Sequence, residues 1–174
     1  MHALTKALIA SILLRTLRVS VSYSASARTR IAVGKSVVCA NHVSLLDGVI
    51  IALASPAPLM FAVDTDFSRR SPGARLGLSL LSWLGFGSVV PLDSSAPFGM
   101  RALTRALLAG ANVMVFPEGG ISQTGARQPD MPGLDWLIAR TGATKVEVKI
   151  SGAEKSRIFA KSGSQWWPKI TLTF

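Results

Sequence analysis

Short apolar runs bounded by Gly, Pro, Ser and Asn recur along this chain and alternate with stretches of helical period. Residues 3–19 are rich in Leu and Ile, with Lys6, Arg15 and Arg18 interspersed. Ser11, Arg15 and Arg18 repeat at i, i+4 and i+7, while Leu8, Ile12 and Val19 fall on another side. That pattern predicts a basic amphipathic helix suited to lying among lipid headgroups, although a helix that merely covers a core would read similarly. A signal peptide is the rival, but arginines follow its short apolar core directly and no small-residue cleavage site is clear. Residues 19–23 alternate as a strand, and the basic, Ser-rich stretch 24–30 reads as a loop. Further strands are expected at 36–40, 59–63, 88–91, 112–116, 145–150 and 169–174. Helices are expected over about 46–54 and 72–84, from Pro97 to a cap at Gly110, and over 134–140. A glycine-containing loop spans 117–127.

Short apolar strands alternating with helices predict an α/β fold, a largely parallel sheet flanked by helices with the N-terminal amphipathic helix as a membrane-docking element. One domain overall is expected, with residues 1–24 as helix and lead-in strand and 25–174 as the catalytic part. The chain ends inside a strand-like stretch, which suits either a cut domain or the start of a longer polypeptide. The longest uncharged run, 76–92, is broken by Gly85, Gly87 and Pro91, so it reads as a helix feeding a buried strand rather than a membrane span.

Composition narrows the partner. Of 174 residues 49% are hydrophobic, yet Lys and Arg number 19 against 9 Asp and Glu, giving a formal charge of +10. Either a nucleic acid or an anionic bilayer would attract such a chain, and the bland alternative is a basic but ordinary soluble protein that needs neither. The apolar excess favours the bilayer, and no basic-aromatic fingerprint supports nucleic-acid binding. The single cysteine, Cys39, lies in the apolar run Val37-Val38-Cys39-Ala40, which suits a buried strand residue better than a nucleophile. Neither a metal-ligand cluster nor a Gly-x-Ser-x-Gly elbow occurs, so no metal and no cofactor are expected.

Two short patterns carry chemistry. In Asn41-His42-Val43-Ser44-Leu45-Leu46-Asp47 a histidine at a strand end precedes an aspartate at a helix start. A plain helix would not bring the two together, but a turn between strand and helix can. A carboxylate that orients an imidazole makes it a good general base near neutral pH. The bland alternative is a capped helix start, with Ser44 as cap and Asp47 as a favourable first-turn charge. In Val115-Phe116-Pro117-Glu118-Gly119-Gly120 a strand runs into a carboxylate and two glycines. Ligands gather at such strand ends in parallel sheets, and glycines let backbone N–H groups approach phosphate oxygens. A tight turn with a solvated Glu118 is the alternative.

Taken in order, His-x4-Asp and then Phe-Pro-Glu-Gly resemble the glycerolipid (1-acylglycerol-3-phosphate type) acyltransferase family. Gly87-Ser88-Val89-Val90-Pro91-Leu92-Asp93 and Val146-Glu147-Val148-Lys149-Ile150 are similar to its second and fourth blocks. The resemblance implies that His42 deprotonates an acceptor hydroxyl, that Asp47 orients His42, and that Glu118 and Gly119 hold the glycerol part, with Gly120, Asn41 and Ser44 around them. The donor would be acyl-CoA or acyl carrier protein, attacked without a covalent enzyme intermediate. Where the family's second block ends in a phosphate-binding arginine this chain has Asp93, where its third block reads Phe-Pro-Glu-Gly-Thr-Arg-Ser this chain continues Gly120-Ile121-Ser122, and Glu147 replaces a proline. Arg127 or Lys149 could supply phosphate contacts instead, although each reads more simply as a solvated surface charge.

Further similarity, at Thr141-Gly142-Ala143-Thr144 and Ile150-Ser151-Gly152-Ala153-Glu154, is to the acyltransferase part of the bacterial 2-acylglycerophosphoethanolamine acyltransferase. A phosphodiester acceptor carries less charge than a phosphomonoester and needs fewer arginines. The implied activity is acyl transfer to lysophosphatidylethanolamine at the cytoplasmic face of the cell membrane, by a peripheral or monotopic protein. Lysophosphatidic acid is the alternative acceptor, and a catalytically inactive membrane-docking domain the alternative role. Trp166-Trp167-Pro168-Lys169, with Arg69, Arg70 and Arg75, suits an interfacial anchor or an ordinary solvated surface.

Overall fold

Seven strands form one sheet in the order β1-β7-β6-β2-β5-β3-β4 in this computed structural model, which describes residues 3–64, 79, 82, 85–92 and 98–174. The strands are β1 (Val19–Ser22), β2 (Ser36–Ala40), β3 (Leu59–Asp64), β4 (Gly87–Leu92), β5 (Asn112–Val115), β6 (Thr144–Ser151) and β7 (Ile170–Thr173). The helices are α1 (Ala3–Thr16), α2 (Ala25–Val33), α3 (Asp47–Ala54), α4 (Phe98–Leu108) and α5 (Leu134–Thr141). The β6–β7 pair is antiparallel and every other pair is parallel. Of the helix expected over 72–84, only positions 79 and 82 are described, both helical. Asp93, Pro97, Arg69, Arg70 and Arg75 lie outside the described residues.

The sheet is covered on both faces where it is central and on one where it is not. Side chains alternate along β2, so Val38 and Ala40 join a core with α2 and α3, and Val37 and Cys39 join a second core with α4 and α5. All five β2 residues are buried in consequence, which is why its sequence reads as an unbroken apolar run. On β6 only Val146, Val148 and Ile150 are buried, and they all face the first core. Glu147, Lys149 and Ser151 are exposed on the other face, none of them part of the core that α4 and α5 build.

One expectation fails outright. Residues 24–30 are not a loop, because α2 runs through them. The Ser24 hydroxyl accepts the Ala27 N–H as an N-cap, and Gly34 closes the helix at φ 91°. Ala and Arg are good helix formers, so the serines act as a cap and solvated positions rather than as loop residues. Gly34 cannot be replaced freely, since a Cβ there would sit 2.6 Å from the Gly110 carbonyl oxygen.

α1 does not segregate its apolar residues as expected. Ala10, Leu14 and Leu17 pack inward, while Leu4, Leu8 and Ile12 form an exposed row beside Arg15. Lys6 ties the helix down by donating to the Gly85 carbonyl at 3.0 Å. No helix among the described residues is long and apolar enough to cross a membrane.

Candidate active site

β2 and β5 are neighbours and parallel, so the loops that leave their C-terminal ends meet. The β2 loop brings Asn41 and His42, and the β5 loop brings Phe116, Pro117 and Glu118. The His42 and Phe116 rings stack with centroids 3.9 Å apart and planes 13° apart. The chain then turns back within five residues, and α3 begins at Asp47. That turn sets His42 Nδ1 3.0 Å from Asp47 Oδ2.

Asp47 is fully buried. Burying a carboxylate is costly unless donors surround it. Here Oδ2 also accepts the Val43 N–H at 2.6 Å and the Ser44 N–H at 2.8 Å, and Oδ1 accepts the Ser44 hydroxyl at 2.8 Å. Ser44 is thus a partner of the carboxylate. It is not the helix cap, a place taken by Leu46 without any side-chain bond. An acceptor facing Nδ1 assigns the ring proton of neutral His42 to that atom, leaving the Nε2 lone pair free for a proton. Nε2 has no partner among the described residues, and the His42 side chain keeps 16% of its surface exposed.

The β5 loop holds the histidine by its backbone. Glu118, buried, accepts the His42 N–H on Oε1 at 3.1 Å and the Gln128 N–H on Oε2 at 2.9 Å. The Ser122 N–H donates to the His42 carbonyl at 2.8 Å. Both polar atoms of the His42 peptide positions are therefore fastened to one loop. Nothing in the residue pattern announces Ser122 or Gln128, because they act through backbone N–H groups that any residue but proline would supply.

The remaining sequence-derived candidates divide. The Asn41 amide pairs with β6, donating to Ile150 O at 2.9 Å and accepting the Ile150 N–H at 2.8 Å. Gly119 has φ 72°, and the space a Cβ would need is filled by Met131. Gly120 is exposed, with nothing within 4 Å of where a Cβ would stand. Arg127 binds both carboxylate oxygens of Asp130, at 3.1 and 3.2 Å, and Lys149 is an exposed residue of β6. Cys39 is a buried strand residue, and burial pushes its thiol up to about 12, with the Lys145 charge opposing.

A cavity of about 510 Å³ lies elsewhere, lined by Gly34, Leu59, Gly87 and Asn112 at the N-terminal ends of the strands. His42 sits beyond the opposite, C-terminal ends, where ligand sites of parallel sheets form.

A family model described as "Acyltransferase" matches residues 21–151, well over half of the chain. The crystal structure of the 1-acyl-sn-glycerophosphate (LPA) acyltransferase, PlsC, from Thermotoga maritima matches with a TM-score of 0.64 at 22% sequence identity. The match covers 97% of this chain and 65% of that one, so this chain spans a little under two-thirds of that protein's length. At that identity the likeness is one of fold.

Proposed function

The chain belongs to the acyltransferase family, and from that premise we propose that it moves a fatty acyl group from an acyl thioester to a lysophospholipid hydroxyl. The thioester is that of acyl carrier protein or coenzyme A, and no other cofactor takes part. The preferred acceptor is lysophosphatidylethanolamine, met at the anionic cytoplasmic face of the cell membrane by a peripheral or monotopic protein. The observation that carries this reading is the His42–Asp47 pair, with its buried, hydrogen-bonded carboxylate and an Nε2 that has no partner among the described residues.

His42 Nε2 takes the acceptor hydroxyl proton as the oxygen attacks the thioester carbonyl. The tetrahedral intermediate collapses with cleavage of the C–S bond, and the imidazolium returns its proton to the departing thiolate. Ester and thiol result, so atoms and charge balance. Asp47 keeps the ring in the required tautomer and stabilises the imidazolium. We assign Glu118 to fastening His42 rather than to the acceptor, because its two oxygens already receive the His42 and Gln128 N–H groups. Gly120 borders the acceptor and leaves that space uncharged.

The acceptor choice rests on the missing cations. The position of Gly120 holds no side chain, and Arg127 is compensated by Asp130. A phosphodiester tolerates this better than a phosphomonoester. The test is acyl transfer in mixed micelles, with lysophosphatidylethanolamine and lysophosphatidic acid side by side. Turnover on the first alone supports the assignment. Turnover on lysophosphatidic acid alone contradicts the acceptor and keeps the chemistry, and no turnover on either favours the inactive docking domain.

A further inference from the structure

The segment between β6 and β7 exposes Ile158, Trp166 and Trp167, with Trp166 at 64% and Trp167 at 42%. Exposed tryptophans normally mark a contact, since the ring is the largest apolar surface a residue offers. This segment is not loose. The Arg157 N–H donates to Gln165 O at 2.7 Å, and the Gln165 N–H to Lys155 O at 2.9 Å. The Arg157 guanidinium lies 4.8 Å over the Trp166 ring.

Its two ends reach two other parts of the molecule. Trp167 Nε1 donates to Thr16 O at 2.8 Å, and Arg18 donates to Trp167 O at 2.9 Å. Thr16 is the next position in the exposed row Leu4, Leu8 and Ile12, so the indole stands at the end of that row. On the other side the Leu45 N–H donates to Phe159 O at 2.9 Å, three residues after His42, and Leu45 is itself 39% exposed. Hydrogen bonds therefore tie this segment to the end of α1 and to the catalytic loop, and all three carry exposed apolar side chains. Arg15, Arg18, Arg157, Lys161 and Lys169 are exposed in the same elements.

We infer that the Trp166–Trp167 segment is a second bilayer anchor that, with α1, sets the His42 loop at the lipid interface. Aromatic rings mixed with arginine and lysine suit the headgroup region, where rings bury and cations meet anionic lipid. The inference rests on the acceptor being a bilayer lipid, but its binding half stands without turnover. The test uses the full chain with Trp83 and Trp136 replaced by Phe, and vesicles of phosphatidylcholine with and without phosphatidylglycerol. Emission should shift to the blue on the anionic vesicles, and lipids brominated on their acyl chains should quench it.

Trp166→Ser, which breaks no hydrogen bond, should weaken vesicle partition roughly tenfold. It should also raise KM for vesicle-borne acceptor, while turnover of a short-chain, water-dispersed lysolipid stays within about twofold. Unquenched emission with unchanged partition would overturn the anchor. So would a Trp166→Ser protein that binds vesicles normally but loses activity only with a carrier-protein donor, because the patch would then be a protein dock. Quenching without turnover in any assay would keep the anchor and sink the proposed activity instead.

Discussion

His42 works, on this account, because three groups fix it: Asp47 at the ring, and Glu118 and Ser122 at its backbone. The pairing of His42 with Asp47 was legible in the sequence because a strand-to-helix turn leaves few other places for the two side chains. The position of Glu118 was legible too, but its partners were not, since backbone N–H groups leave no trace in residue types. Glu118→Gln tests the difference. An amide offers only one acceptor oxygen, so one of the two N–H groups must face a donor. If Glu118 fastens His42, kcat falls by about tenfold or more with acceptor KM within about twofold, since small misplacements of a reacting group are expensive. A raised KM at normal kcat would mean that Glu118 binds acceptor. Cys39 gives a plainer outcome. Its thiol is buried and pushed up to about 12, so iodoacetamide at pH 8 should leave the native protein unlabelled and active. Rapid labelling before unfolding would contradict the packing.

Among the elements, the strands were read well and α2 was not. β2, β3, β5 and β6 each show an apolar run or an alternation, which is the direct imprint of burial on two faces or on one. α2 buries only Ala27 and Ile31, too few positions to give a helical period. What defines it is a single side-chain bond at Ser24 and a glycine at its end, so its existence rests on caps. Ser24→Ala should therefore cost about 1 kcal/mol, lowering Tm by about 2–4 °C for a chain of this size. An unchanged Tm would show that packing of Ile31 holds α2 without its cap. In α1 the sequence marked a helix but not which side is covered. The row Leu4, Leu8 and Ile12 is as apolar as the inward side, and only the position of the sheet decides between them.

The whole molecule joins a largely parallel sheet, a histidine beyond the C-terminal ends of its strands and, by the inference above, a segment that meets the bilayer. The fold class followed from alternating strands and helices, and the net charge of +10 pointed towards an anionic surface. The antiparallel β7 and the docking of β1 on it were not legible, because pairing of the first strand with the last leaves no local signal. Nor was the reach of residues 156–169 from α1 to Leu45, which depends on contacts far apart in sequence. The proposed chemistry turns on His42 as the base. Turnover of labelled acyl thioester with lysophosphatidylethanolamine by His42→Ala, beside the wild type and with vesicle binding measured on both, tests it most directly. His42→Ala should lose about 10²–10⁴ in turnover with vesicle binding unchanged. Near-normal turnover in that variant would contradict it.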